Sequence, residues 1–146
     1  MEPLIIVGVV VFLLFIAVAG MYNGLVRSRN HCDEAWSDVE TELQRRYDLI
    51  PNLVNAVKGY AQYERDLLEQ VTRLRNECAT NHGTPKAQAA SENEFGAALG
   101  RLWARFEAYP DLKANQNFLD LQRELVNTED RIQAANRFYN GNVRDN

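Results

Sequence analysis

The feature that most constrains this chain of 146 residues is an uncharged apolar segment near its N-terminus. It reads LIIVGVVVFLLFIAVAGM, from Leu4 to Met21, and as a helix it would be about 27 Å long, close to the thickness of a bilayer hydrocarbon core. Such a segment predicts a membrane-spanning helix. Because Ala17-Val18-Ala19-Gly20 is also typical of a signal-peptidase site, a cleaved secretory leader is the alternative.

The residues on either side of this segment favour a retained anchor. A leader begins with positive charge and has a shorter apolar region of about 7–15 residues, whereas only residues 1–3, without a basic side chain, precede this one. Arg27 and Arg29 follow it, and Lys and Arg are enriched on the cytoplasmic side of membrane helices. We therefore expect a single-pass protein of the cell inner membrane, with the N-terminus outside and the C-terminal domain cytoplasmic. Tyr22 falls at the inner interface, where it either contacts the headgroup region or simply packs on its helix.

Three small residues lie close together at the end of the apolar segment. Ala17, Gly20 and Gly24 are spaced three and four positions apart, which places them on one face of a helix. Small residues allow membrane helices to approach closely. The spacing therefore predicts lateral association of the anchor and a homo-oligomer.

The region after the apolar segment, residues 22–146, is long enough for one domain with its own core. It carries 16 Lys and Arg against 19 Asp and Glu. This acidic balance argues against nucleic acid as a partner, because a phosphate-binding surface shows a basic excess. We assign residues 1–26 to the anchor and the inner-interface segment, and residues 27–146 to a cytoplasmic helical domain.

Residues that could carry chemistry are few and scattered. His31 and His82 are far apart in the sequence, whereas a zinc site needs three or four ligands. Cys32 and Cys78 are isolated thiols that we expect to stay free in a reducing cytoplasm. We predict no catalytic residue, no cofactor and no metal site, and hence a protein that is not an enzyme.

Apolar residues recur at steps of three and four through much of the remaining chain, which is the period of an amphipathic helix. Pro51 interrupts the first such stretch, because a proline removes one backbone donor and crowds the preceding turn. The helix must kink or end near Leu49, and the pattern leaves both possibilities open. The predicted core residues are Trp36, Val39, Leu43, Ile50, Val54, Val57, Leu67, Val71, Leu74, Leu99, Leu102, Phe106, Phe118, Leu121, Leu125 and Ile132.

Two further breaks divide the rest of the chain. TNHGTPK, residues 80–86, combines Asn, Gly and Pro and predicts a turn, and Pro110 predicts a second one. From about Lys113 a heptad seam runs to Asn140-Gly141, a common signal for the end of a helix. Because no strand-like alternation of useful length occurs, the fold class is all-α, with helical segments that suit a bundle.

Several strings, in this order, resemble the LemA family of bacterial membrane-anchored proteins: YNGLVRSRN, EAWSDVE, QRRYDLIPNLVNAVKGYAQYE, YPDLKANQNFLDLQREL and TEDRIQAANRFYN. The resemblance covers about residues 22–143, and RRYDLIPNLV and YPDLKAN are its most specific parts. It implies an N-terminal transmembrane helix followed by a four-helix bundle, with Pro51 at the junction of the first two bundle helices. It also implies no enzymatic activity. Family members usually continue tens of residues beyond the final Tyr-Asn block, whereas this sequence stops at Asn146.

An up-and-down bundle of four helices returns the chain to the level at which it began. We therefore expect Tyr139-Asn140 to lie near Tyr22-Asn23, at the membrane-proximal end. Four arginines would gather there as a basic collar facing the anionic inner leaflet, where each charge contributes about 1 kcal/mol of attraction. The alternative is that they pair with nearby Asp residues. These arginines are Arg27, Arg29, Arg137 and Arg144.

We expect a non-enzymatic, membrane-anchored scaffold that self-associates through its anchor and bundle. Its expected partners are the lipid bilayer, further copies of itself, and other membrane or cytoplasmic proteins. The alternative is a peptide- or ligand-binding module with a groove between bundle helices, lined by aromatic side chains. Their helical spacing is more simply explained as core, whereas a pocket of about 300 Å³ or more would support the groove. These aromatic residues are Phe95, Trp103, Phe106 and Phe118.

Overall fold

The structure is a computed structural model that describes residues 2–60, 62–81 and 83–145. His82, which the sequence places in a turn, lies outside these residues. The described chain is helical throughout apart from short connections, and none of it forms a strand, so the all-α prediction is confirmed. The helices are α1 (Glu2–Val57), α2 (Arg65–Thr80), α3 (Pro85–Phe106), α4 (Pro110–Lys113) and α5 (Gln116–Asp145), with a 3-10 turn at Gln62–Glu64.

The chain divides into two compact units. The anchor unit comprises Met1–Val39 and Gln133–Asn146, and the bundle unit comprises Glu40–Ile132. In the bundle unit, the second half of α1 runs antiparallel to α5, and α2 runs antiparallel to α3. Cross-helix pairs define these directions: Glu42 with Arg131 and Arg45 with Glu124, and Glu64 with Arg105 and Asn81 with Ser91. The unit is therefore the expected up-and-down bundle.

The first helix does not end at Pro51. It continues to Val57, and the chain reverses between Val57 and the start of α2 at Arg65, so the junction implied by the family resemblance lies further along the chain. Pro51 has no N–H, which leaves the carbonyl of Tyr47, four residues earlier, without its helical donor. The Nε of Arg75 on α2 donates to that oxygen over 3.0 Å. A neighbouring helix thus replaces the missing hydrogen bond.

Most of the predicted core is buried. The buried members are Val39, Leu43, Ile50, Val57, Val71, Leu74, Leu99, Leu102, Phe106, Phe118, Leu125 and Ile132. The half-buried members are Trp36, Val54, Leu67 and Leu121. At the start of α2, Leu68 takes the buried position that the sequence assigned to Leu67. Leu68 lies two helical turns before Arg75 and therefore faces α1, as Arg75 does.

The two later breaks occur where they are predicted. The hydroxyl of Thr84 caps α3 by accepting from the N–H of Ala87 over 3.3 Å, with Pro85 in the first turn, a favoured position for proline. The break at Pro110 contains the short helix α4, which the sequence did not indicate. The predicted end at Asn140-Gly141 is wrong, because Gly141 stays helical and α5 continues to Asp145.

Candidate functional sites: a membrane anchor and a buried ion cluster

The first half of α1 is the candidate membrane anchor. Every large apolar side chain from Leu4 to Val18 is at least 50% exposed. By length and composition, α1 is the one helix among the described residues that could cross a membrane. Exposed apolar surface of this extent is unfavourable in water, and a bilayer supplies the environment that it requires. The chain is accordingly a membrane-associated helical protein.

The small residues predicted to mediate helix association lie on an open face of this segment. Ala17, Gly20 and Gly24 are all exposed. A Cβ atom built on Gly20 or Gly24 would meet nothing within 4 Å. The face is therefore free for a second helix to approach.

In the anchor unit, the end of α5 packs beside α1. The rings of Trp36 and Tyr139 lie 5.1 Å apart, and Nδ2 of Asn142 donates to the carbonyl of His31 over 3.5 Å. Tyr139 is therefore opposite Trp36, about 21 Å along the helix from Tyr22. The expectation that Tyr139-Asn140 lies near Tyr22-Asn23 is therefore wrong. The chain first reverses after Val57 rather than at Pro51, so Tyr139 lies beside a later part of α1.

The four arginines of the predicted collar are all exposed, but they do not lie at one level. The contacts of α5 with α1 place Arg144 level with about Arg29, close to Arg27 and the end of the apolar segment. Arg137 lies about 12 Å further along α1. Arg27, Arg29 and Arg144 thus lie close to the end of the apolar segment, whereas Arg137 does not.

A buried arginine lies at the centre of the bundle unit. The side chain of Arg46 on α1 is 4% exposed, and its guanidinium donates to Glu92 on α3 and to Glu129 on α5. The guanidinium carbon also lies 5.1 Å from the ring centroid of Phe95, a cation–π contact. One side chain therefore joins three helices of the bundle.

Glu92 accepts two hydrogen bonds in this cluster, one from Arg46 and one from the hydroxyl of Tyr47. Burial raises the pKa of the Glu92 carboxyl, although the Arg46 charge opposes that rise. The sequence prediction missed the cluster, yet a signal exists. Arg46 lies three positions after Leu43 and four before Ile50, so a charged residue falls within the apolar stripe.

Polar atoms near the cluster retain unused hydrogen-bonding capacity. Oε2 of Glu42 and Nε of Arg46 are buried without a hydrogen-bond partner in the described chain. The other oxygen of Glu42 lies 3.6 Å from Arg131, and the Glu42 side chain is only 19% exposed. Within residues 2–60, 62–81 and 83–145, no three His, Cys, Asp or Glu side chains form a group that could hold a metal ion.

The four aromatic residues considered for a groove pack against each other instead. Phe95, Phe106 and Phe118 are buried, and the ring of Trp103 lies 5.8 Å from that of Phe106 and 6.0 Å from that of Phe118. These edge-to-face contacts are typical of a core, so the predicted aromatic lining of the groove is wrong. A groove of about 930 Å³ lies elsewhere, between the end of α1 and α2.

Comparison with known proteins gives a consistent family. The model of the LemA family matches residues 35–146. Protein LemA of Metamycoplasma hominis is 27% identical over 128 residues, which covers 88% of this chain and 58% of that protein. Magnetosome protein MamQ 2 of Paramagnetospirillum magneticum is 28% identical over 165 residues, covering 95% of this chain and 61% of the relative.

Magnetosome protein MamQ of Magnetospirillum gryphiswaldense is 25% identical over 147 residues, covering 84% of this chain and 54% of that protein. The chain therefore spans between about half and three fifths of the length of these relatives. None of the three names is that of an enzyme. On the match of the family model over residues 35–146, the chain belongs to the LemA family.

Proposed function

We propose that this protein is a non-enzymatic, membrane-anchored scaffold that self-associates and organises partner proteins or the membrane itself. The observation that carries the proposal is the continuity of α1. Its first half is apolar and exposed, its second half supplies core residues of the bundle unit, and no residue between them leaves the helix. A bilayer that holds the first half therefore holds the same helix that supplies core residues to the bundle unit.

The proposed location is the cell inner membrane, with the N-terminus outside and the bundle in the cytoplasm. Arg27 and Arg29 directly after the apolar segment support this orientation. In this arrangement Tyr22 lies at the inner interface, and Arg144 adds a third positive charge near the anionic leaflet. Labelling of single cysteines introduced at residue 2 or residue 58 of a variant in which Cys32 and Cys78 are replaced by serine, on intact cells and on inverted vesicles, tests the orientation.

Self-association is proposed to involve the open face of Ala17, Gly20 and Gly24. In a bilayer, where lipid tails are as apolar as leucine, close packing of backbones is a main source of helix association. A leucine side chain on this face would hold two helices apart. The proposed partners are further copies of the chain and other membrane or cytoplasmic proteins.

The experiment compares the mass of the full-length protein in mild detergent with that of a Gly20→Leu, Gly24→Leu variant. Gly8→Leu is the matched control, because Gly8 is equally open and lies about 150° away around the helix. We expect an assembly that the double variant loses and the control retains. Equal masses for all three proteins would exclude association through this face.

A further inference from the structure

The groove between α1 and α2 has the form of a seat for a helix. Eight of its twelve lining residues lie on α2, and they extend from Arg65 to Thr80. The other four come from the end of α1 and the connection that follows it. α2 has 16 residues and is therefore about 24 Å long. A compact ligand would occupy one part of such a surface, whereas a second helix would follow it from end to end.

A seam of exposed residues, Thr72, Asn76 and Thr80, continues from the buried Leu68 along the side of α2 that lines the groove. The hydroxyl of Thr72 donates to the carbonyl of Leu68 over 2.9 Å, and that of Thr80 donates to the carbonyl of Asn76 over 2.9 Å. Because both hydroxyls bond to their own helix, the threonine methyl groups are the part left to contact a partner. The seam can therefore pack against a helix without burying unpaired hydroxyls.

A charged stripe lies directly beside this seam. Arg65, Glu69, Arg73 and Glu77 follow one another at steps of four, are all exposed and all line the groove. Their charges alternate along the helix. Within one chain, Arg65 and Glu69 form an ion pair of 3.0 Å, but such exposed pairs contribute only about 0–1 kcal/mol. These charges therefore exchange partners at little cost.

The alternation makes the charged stripe complementary to itself when a second copy runs in the opposite direction. With a two-fold axis beside Val71, Arg65 faces Glu77 of the second copy, and Glu69 faces Arg73 of the second copy. Symmetry repeats both pairs, so every charge of the stripe meets the opposite sign, as in the flanking pairs of coiled coils. In a parallel arrangement about a two-fold axis, each charge would instead meet its own counterpart.

We infer that two copies of this protein associate through α2, antiparallel to each other, with the α2 helix of each copy in the groove of the other. The inference rests on the self-association proposed above and identifies the surface of the bundle unit that carries it. A strip about 24 Å long and about 10 Å wide is smaller than the surface of about 800 Å² that each partner of a stable complex contributes. The association is therefore weak, and salt weakens it further.

The test uses the full-length chain in detergent, with Gly20→Leu and Gly24→Leu present throughout so that association through the anchor does not contribute. Glu69→Arg alone creates a positive stripe that repels its copy, and Arg73→Glu alone creates a negative one. Each should raise the dissociation constant of self-association at least about tenfold, which is about 1.4 kcal/mol. Sedimentation over a range of concentrations measures it.

Mixing the two variants gives the sharper result. In the mixed pair, the arginine introduced at position 69 of one copy faces the glutamate introduced at position 73 of the other, and the remaining Arg73 faces the remaining Glu69. We expect the dissociation constant of the mixed pair to lie within about threefold of that of the parent with the unaltered stripe. Arg101→Glu, a charge reversal at an exposed site on α3 outside the groove, should leave the dissociation constant of self-association unchanged.

Three results would overturn the inference. They are a parent that stays monomeric at the highest concentration, single reversals that associate as the parent does, and a mixture that stays dissociated. The last would leave the groove to a different occupant, such as a helical peptide of a partner protein. The glycine substitutions test association through the anchor, and the charge reversals test association through α2. The two experiments therefore distinguish failure of the proposed anchor association from failure of the α2 inference.

Discussion

The two halves of α1 share one continuous helical backbone but have opposite environments. Leu13, in the first half, is 59% exposed, whereas Leu53, in the second half, is 0% exposed. The first half is the more apolar of the two, so apolar content does not decide which half is buried against other helices. The first half is apolar on every side, and the second alternates apolar and charged positions with the helical period. A segment that is apolar on every side thus requires an apolar environment such as a bilayer. A segment with apolar residues on one side only requires a neighbouring helix on that side.

The halves also differ in how they treat charge. The anchor carries none between Leu4 and Met21, while the bundle half buries Arg46 completely enough to require partners on two other helices. A buried ion is tolerated only where its hydrogen bonds are supplied. The covered half of α1 can therefore include a charge because α3 and α5 supply carboxylates for it.

The largest effect is expected from removal of that charge. Arg46→Ala leaves Glu92 buried without its cation and should lower the free energy of unfolding by about 3–5 kcal/mol. The neighbouring Arg45→Ala is the control, because Arg45 is 45% exposed and pairs with a partly exposed Glu124, a pair worth at most about 1 kcal/mol. Denaturant unfolding of the full-length chain in detergent, followed by circular dichroism, measures both. Equal effects would mean that the cluster is solvated.

The comparison of the two halves can be tested directly with one substitution made in each. Leu53→Ala should lower the free energy of unfolding of the bundle by about 2–5 kcal/mol, since it leaves a cavity in the core. Leu13→Ala should change it by less than about 0.5 kcal/mol, because no part of the bundle covers that side chain. Denaturant unfolding, as for Arg46→Ala, measures the effect of each substitution. A comparable loss from Leu13→Ala would show that the first half is packed against protein.

A smaller effect is expected where the bundle half of α1 depends on α2. Arg75→Met removes the donor to the carbonyl of Tyr47 and should lower the free energy of unfolding by about 1–3 kcal/mol. In a Pro51→Ala background the loss should be smaller, because the new N–H at position 51 can donate to the same oxygen. A double-mutant cycle measures the coupling. Strict additivity of the two substitutions would contradict the proposed replacement of the hydrogen bond.

The smallest effect concerns pH. The raised pKa of Glu92 means that the folded state binds this proton more tightly than the unfolded state does. Its contribution to stability is therefore fully present below the ordinary value of 4.5 and declines as the pH rises through the raised value. Glu92→Gln removes this dependence.

We expect the stability of the parent relative to Glu92→Gln to fall as the pH increases from about 4.5 upwards. Thermal unfolding midpoints of both proteins, measured in the same buffers across this range, provide the comparison. Parallel profiles would mean that Glu92 titrates alike in the folded and unfolded states.

Much of the fold follows from features that are local in sequence. The anchor depends on length and absence of charge, the turn at 80–86 on Asn, Gly and Pro, and the seam of α5 on heptad spacing that correctly placed Leu125 and Ile132 in the core. Each of these features depends only on residues that are close together in the sequence. The candidate anchor face of Ala17, Gly20 and Gly24 could be named for the same reason.

The features that were missed depend on residues distant in sequence. The helix passes through Pro51 because Arg75, 28 positions from Tyr47, supplies a donor. Arg46 is buried because Glu92 and Glu129, 46 and 83 positions away, supply acceptors. A pattern read along one helix shows that Arg46 lies in an apolar stripe, but it does not show which carboxylates will face it.

The sequence by itself thus determined the all-helical class, the anchor, the positions of the later turns and most of the core, because each follows from hydrophobic period or local backbone chemistry. Only the tertiary structure decided that the first reversal follows Val57, which residues of α5 lie opposite α1, and that a charged cluster occupies the bundle. Those outcomes depend on which polar groups meet across helices, and a proline or a buried arginine is stable only when a distant residue completes its hydrogen bonds.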